Sequence, residues 1–364
     1  MIPLRALLPL LAVPASCDLC CEESVVTPCD SPCDPEDTGD FDPEGDADSD
    51  ADSDGDTDTD SDTDADGDAD TDTGPLPDTG EVDVCETTDP EVPAGFVAPE
   101  GWYVELFAEG FDTPSAVRAP ASGEVYLGAG TGSWDERAVN RLQADGTANA
   151  SDPITDPDGI AVDSAGTVFA AGSYQMVQVE SFDGGTNSVW HGLSSYGNIN
   201  DLVIDTAHDD VHFVAMNDGQ VIRVEQDRTE TVLTGTGDES SVAVDTEGDL
   251  WVVRRNQGGL ERIDRETLAV EQVVDLTELE PDLVRTNRVT VGPDGLLYFT
   301  SYLTGQGASV RQWDPENPGL LTGFMSGIEH EDNDPDDLDF SEADGCLYWS
   351  SPLTGRVWRT CACP

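Results

Sequence analysis

An all-β chain, folded as a six-bladed β-propeller behind a disordered acidic linker, is what the 364-residue sequence predicts. Three observations predict it. A unit made of a short apolar strand, an Asp/Gly turn and a second, more aromatic strand recurs at 156–172 (DPDGIAVDSAGTVFAAG), 200–216, 240–253, 287–301 and 336–351. Its spacing, about 40 to 50 residues, is that of propeller blades. Ahead of the repeats, from Asp46 to Asp72, every second residue is Asp, a pattern with no apolar face to bury.

In chain order, residues 1–16 read as a signal peptide: one basic residue (Arg5), the apolar run Ala6 to Val13, then small residues. That run is too short to span a bilayer. The ending Pro14-Ala15-Ser16-Cys17 resembles a bacterial lipoprotein cleavage site, with Pro14 where Leu is usual, and makes Cys17 the expected lipid anchor. Export leaves the remaining cysteines in an oxidising compartment, where disulfides are favoured over a zinc site at Cys17, Cys20, Cys29 and Cys33, which have no histidine near them. One pairing follows from register. If Pro352-Leu353-Thr354-Gly355 is a hairpin loop, Ser351 faces Arg356 and Cys346 faces Cys361, and opposed strand residues sit at disulfide separation.

Residues 17–94 form the expected linker. Fourteen Asp between 46 and 72 repel one another and keep it extended. Asp50-x-Asp52-x-Asp54-Gly55 and Asp62-x-Asp64-x-Asp66-Gly67 match the first half of an EF-hand loop, but Ser61 and Thr73 stand where a bidentate Glu is needed. Loose, salt-sensitive cation binding is therefore expected in place of ordered calcium sites. All 15 basic residues are Arg, against 77 Asp and Glu, for a net charge of -62. Nucleic acid and anionic membrane surfaces are excluded as partners, because both need a basic face. The membrane is reached only through the lipid anchor, and the chain is expected to be a monomer.

Residues 95–364 hold the propeller. Blade one is expected at 113–151, blade two at 152–193, blade three at 194–236, blade four at 237–276, blade five at 277–327 and blade six from Ile328. Blade six lacks one strand, and the unassigned strand Trp102 to Gly110 is expected to supply it, closing the ring so that no strand edge is left bare.

The residue just ahead of each innermost strand should face the central channel. Those positions are Ser115, Asp158, Asn200 with Asp201, Ser240, Asn287 and Asp337, joined by the carboxylates and His330 of the loop 329–337. Carboxylate and amide oxygens in a ring suit a hard cation, Ca2+ or Mg2+, with Asp158, Asn200, Asn287 and Asp337 as its ligands. The structural alternative is that they cap turns and accept strand-start amides. Asp163, Asp205 and Asp245, which end inner strands, read as turn formers.

Pro157 to Asp163 (PDGIAVD) resembles an NHL-type strand, Leu347 to Arg359 (LYWSSPLTGRVWR) a YWTD repeat, and Trp102 to Val117 the opening of quinoprotein sugar-dehydrogenase-like propellers. The chain is thereby similar to the six-bladed group that also contains the gluconolactonase/regucalcin-like proteins. In the last of these a divalent ion held by Glu, Asn and Asp polarises a substrate carbonyl. The resemblance implies Asp158 and Asn287 as two of its ligands. Ser115 stands where that family has Glu, and Asp158 precedes the Asn where the family has it following. Sugar-dehydrogenase chemistry needs an early His, whereas the first here is His191 in an outer strand. Neither quinone nor nucleotide is indicated. The expectation is an exported, surface-tethered module that binds a protein or small molecule across its channel face, with no catalytic residue assigned. The alternative is a divalent-metal, lactonase-like hydrolase. A third class, the antibiotic-inactivating carbon–oxygen lyases, has no specific residues behind it.

Overall fold

The computed structural model describes Val92 and residues 95–364, apart from 131–136, 184–185, 236–239, 257, 305–306 and 329–335. The expected signal peptide, Cys17, the expected Asp-rich linker and most of the loop carrying His330 lie outside the described residues.

Six four-stranded antiparallel sheets make up the fold. Strand β1 (Trp102–Glu109) precedes blade one, which holds β2 (Asp112–Arg118), β3 (Val125–Gly130), β4 (Ala138–Leu142) and β5 (Ala148–Ala150). Blade two holds β6 (Pro157–Val162), β7 (Val168–Gly172), β8 (Gln175–Val179) and β9 (Ser188–Gly192). Blade three is β10 (Ile199–Asp205), β11 (Val211–Met216), β12 (Gln220–Val224) and β13 (Glu230–Gly235). Blade four is β14 (Ser240–Val244), β15 (Leu250–Arg254), β16 (Gly259–Ile263) and β17 (Val270–Asp275), followed by the one-turn helix α1 (Leu276–Leu279). Blade five is β18 (Leu283–Val291), β19 (Leu297–Leu303), β20 (Gly307–Trp313) and β21 (Leu321–Ile328). Blade six has β22 (Leu338–Phe340), β23 (Leu347–Ser351) and β24 (Arg356–Ala362), with β1 hydrogen-bonded to β24 from Trp102↔Ala362 to Glu109↔Arg356.

Two boundaries differ from expectation. Leu276 is not the end of a strand, because the Asp275 side chain accepts the Thr277 amide and starts α1 there. Ile328 closes the outer strand of blade five and does not open blade six.

The second strands β3, β7, β11 and β15 are buried along their whole length. This is why their sequences run apolar without alternation: each is covered by a neighbouring blade on both faces. Aromatic residues fill the wedges where blades five and six meet, with Trp349 stacked on Trp358 at 5.7 Å and Tyr298 set edge-on to Phe340 at 4.6 Å. Close to the axis there is no room for a side chain at some positions. A Cβ on Gly159 would lie 2.6 Å from the Leu202 amide nitrogen of the next blade, which accounts for the glycine in Pro157-Asp158-Gly159.

In blade six, Ser351 pairs with Arg356 and Leu347 with Thr360, so Cys346 and Cys361 are opposed, and they form a disulfide with 15 residues of separation. The link staples the strand that carries β1 to its inner neighbour. Replacing both cysteines by Ser should cost about 3 kcal/mol, the loop-closure value for this span, read as a lower urea midpoint. A midpoint equal to that of the unmodified chain would show that strand pairing alone holds the hairpin.

Candidate functional site

Most inner strands reach the axis through a break in their ladder. The register slips between Asp112 and Ala116, Pro157 and Gly159, Ile199 and Asp201, and Thr286 and Val289. Ser115, Asp158, Asn200 and Asn287 all fall within these irregularities, and so does Arg288. A bulge re-aims side chains, and bulges recur beside functional sites.

Arg288 takes the place expected of a cation. Its guanidinium donates to the main-chain carbonyl of Asn200 and, at 3.1 Å, to that of Asp158, while Nε lies 3.8 Å from Asp337 Oδ1. It is 4% exposed. Asp158 and Asn200 thus meet this cation with their backbones. The carboxylates expected to ligate a metal are engaged elsewhere. Asp337 Oδ2 accepts the Val117 amide of blade one at 2.8 Å, and its Oδ1 accepts the Leu338 amide at 2.9 Å. Asp201 does the same between blades three and four, accepting the Val242 amide at 3.1 Å and the Ser241 hydroxyl at 2.5 Å. Ser115 Oγ donates to the Pro157 carbonyl at 3.2 Å, tying blade one to blade two. Asn287 Oδ1 is buried and has no hydrogen-bond partner among the described residues, and Ser240 begins β14.

The divalent ion implied by the resemblance does not fit these residues. A guanidinium occupies the axis, and two carboxylates clamp neighbouring blades. Of the expected Asp158–Asn200–Asn287–Asp337 set, Asp158 and Asn200 offer main-chain carbonyls to Arg288, and Asp337 accepts the Val117 and Leu338 amides.

A second arginine closes the channel one step further along. Arg118 donates through Nε to the Ile160 carbonyl at 2.8 Å, and through its terminal nitrogens to the Leu202 carbonyl and Asp339 Oδ1, both at 3.2 Å. Asp339 also accepts the Ala119 amide at 2.8 Å and the Thr290 hydroxyl at 3.1 Å. At the mouth above Arg288, Arg137 pairs with Asp156 at 2.5 Å and lies 3.7 Å from Asp158. Asp156 and Thr113, both bonded to Arg137, have positive φ angles of 52° and 44°, a conformation costly for a β-branched residue.

Burial pushes the Asp337 carboxyl above the usual carboxylate range, and Asp201 pushes it further, against the pull of Arg288. Burial and Asp156 raise Asp158 in the same way. Burial also works against the charge on Arg288, but Asp201, Asp337, Asp336 and Asp158 outweigh it and hold the guanidinium above its ordinary value.

The three described histidines serve packing and pairing. His191 Nε2 lies 2.6 Å from Glu230, His208 Nδ1 lies 3.0 Å from the Asp205 carboxylate, and His212 stacks on Trp190 at 4.4 Å, its pKa pushed down to about 4 by burial. Asp163 Oδ1 accepts the Ala165 and Thr167 amides and Asp245 Oδ1 those of Glu247 and Asp249, so both are turn formers. At the opposite mouth from Arg288, where the inner strands end, a cavity of about 580 Å³ opens on the axis. All six blades line it, with Arg118, Thr290 and Asp339 among its residues.

Arg288→Met should lower stability by about 3–5 kcal/mol, because it leaves buried carboxylates without their cation; chemical denaturation measures it, and a loss below about 1 kcal/mol would show the plug to be dispensable. In the unmodified chain the raised carboxyls bind protons more tightly folded than unfolded. Their stabilisation is full below the ordinary carboxylate range and is lost as pH rises through the raised values. Stability should therefore fall from about pH 5 to about pH 8, even in high salt, which screens surface repulsion more than buried pairs. A rise over that interval would overturn the assignment.

No family model and no curated protein matches the sequence. Among solved structures, the chain is similar to a luciferin-regenerating enzyme (10% identity, 72% of this chain and 95% of that one, TM-score 0.58). It is similar to a gluconolactonase of Xanthomonas campestris (14% identity, 71% and 88%, TM-score 0.56). It is also similar to a calcium-binding regucalcin of Agrobacterium tumefaciens (15% identity, 70% and 92%, TM-score 0.55). What the chain shares with these proteins is the fold, a six-bladed β-propeller.

Proposed function

We propose that the protein is a binding propeller: exported, held at the cell surface through Cys17 and the Asp-rich linker, and taking its ligand at the open end of the channel. The observation that carries this reading is the division of the axis. One end is filled by Arg288 and Arg118, bonded to main-chain carbonyls of blades two and three. The other end is a 580 Å³ cavity, within the size of small-molecule sites, about 300–1,000 Å³. A catalytic Lewis acid needs an open coordination position, and the inner end presents hydrogen-bonded carboxylates in its place.

The alternative is a divalent-metal, lactonase-like hydrolase using Asp158, Asn200, Asn287 and Asp337 with Ca2+ or Mg2+. The names of the similar structures support that class as well as they support binding. Arg288 separates the two. The purified full-length protein should carry no stoichiometric divalent metal by elemental analysis and should show no hydrolysis across a lactone panel. Stoichiometric metal, with lactone hydrolysis abolished in Asp158→Ala, would establish the hydrolase instead.

A further inference from the structure

We infer that the open cavity selects a small organic cation with an apolar body. The inference rests on the binding reading above and adds the chemistry of the ligand.

The walls are built from the ends of the inner strands and include the apolar residues Ala161, Val203, Ala243, Val291 and Phe340. Burying an apolar stem against them supplies the non-directional part of affinity. The charged residues of the lining are unbalanced. Glu124, Asp163, Asp205, Asp245, Asp339 and Glu342 line the cavity against one guanidinium, that of Arg118. Arg118 is already paired with Asp339 at 3.2 Å; Glu124 lies 3.7 Å from Arg141 and Asp205 3.0 Å from the His208 ring, so the carboxylates still outnumber the cationic groups around them. They come from different blades and stand around the mouth, where low-dielectric walls focus a field of one sign.

The same carboxylates do not form a metal site, since no three acidic or imidazole groups among the described residues could share an ion. Asp163 and Asp245 are further held by turn amides, and Asp205 by the His208 ring. A ligand that needs direct chelation is poorly served by this arrangement. One that needs a negative field over an apolar well is served by it, as an alkylammonium or guanidinium group on a hydrocarbon stem would be. Phosphates and carboxylates are disfavoured by the same field.

The test is a charge series of near-isosteric probes titrated calorimetrically into the full-length protein: 4-phenylbutylamine, 4-phenylbutanol and 4-phenylbutyrate. The amine should bind about tenfold or more tightly than the alcohol, and the carboxylate weakest of all. Added salt should weaken the amine and leave the alcohol unchanged. The variant Thr246→Lys/Glu342→Lys, at two exposed lining positions, should lose the preference for the amine while keeping the wild-type melting temperature. Equal binding of amine and alcohol, an unaffected double variant, or no binding by any probe would each overturn the inference. None of these results bears on metal content or lactone hydrolysis, so failure of the ligand class is distinguishable from failure of the binding reading.

Discussion

Six inner strands converging on one axis create a constraint that the rest of the molecule answers to. Their ladders end there, so carbonyl oxygens and carboxylates crowd a narrow, poorly hydrated channel, and buried oxygens without donors are costly. Arg288 and Arg118 resolve it. Their guanidinium groups, planar and rich in donors, collect carbonyls of Asp158, Asn200, Ile160 and Leu202 from blades two and three. Asp337, Asp201 and Asp339 complete the network by accepting amides and hydroxyls of neighbouring inner strands. Ring geometry and axial chemistry are thus one problem: the residues that join the blades also neutralise the centre.

This has a consequence for function. A propeller that opens its axis to a divalent ion must leave carboxylate and amide oxygens free to ligate it. Here the carboxylates clamp adjacent blades and arginine supplies the positive charge. The fold shared with lactonase-like proteins fixes where a site can be, while the side chains decide what it does. The open cavity lies at the other mouth, where the inner strands end in turns. The acidic composition of the whole chain reappears there as a local field.

The blade pattern was legible in the sequence because it rests on local rules. Short apolar runs, Asp/Gly turns and aromatic second strands are each dictated within a few residues, and β6, β10, β14 and β18 lie where those rules put them. The Cys346–Cys361 pair was legible for the same reason, since a short hairpin fixes register by counting. Asp163 and Asp245 were read as turn formers and are. The axial plug was not legible. Arg288 directly follows Asn287, and strand alternation sends adjacent side chains to opposite faces; the irregularity between Thr286 and Val289 cancels that rule. An all-Arg set of basic residues was a signal that bidentate, buried cation roles were in use, but it named no position.

From composition and spacing alone, the chain determined its repeat unit, its strong net negative charge and the pairing of its last hairpin. Those properties depend on neighbours in sequence or on sums over residues. Tertiary structure decided which charge occupies the axis and which end of the channel stays open. Both are set by residues from different blades meeting at one point, as Arg288 meets the Asn200 and Asp158 carbonyls across 88 and 130 positions of chain. Only the closed ring brings such groups within hydrogen-bonding reach.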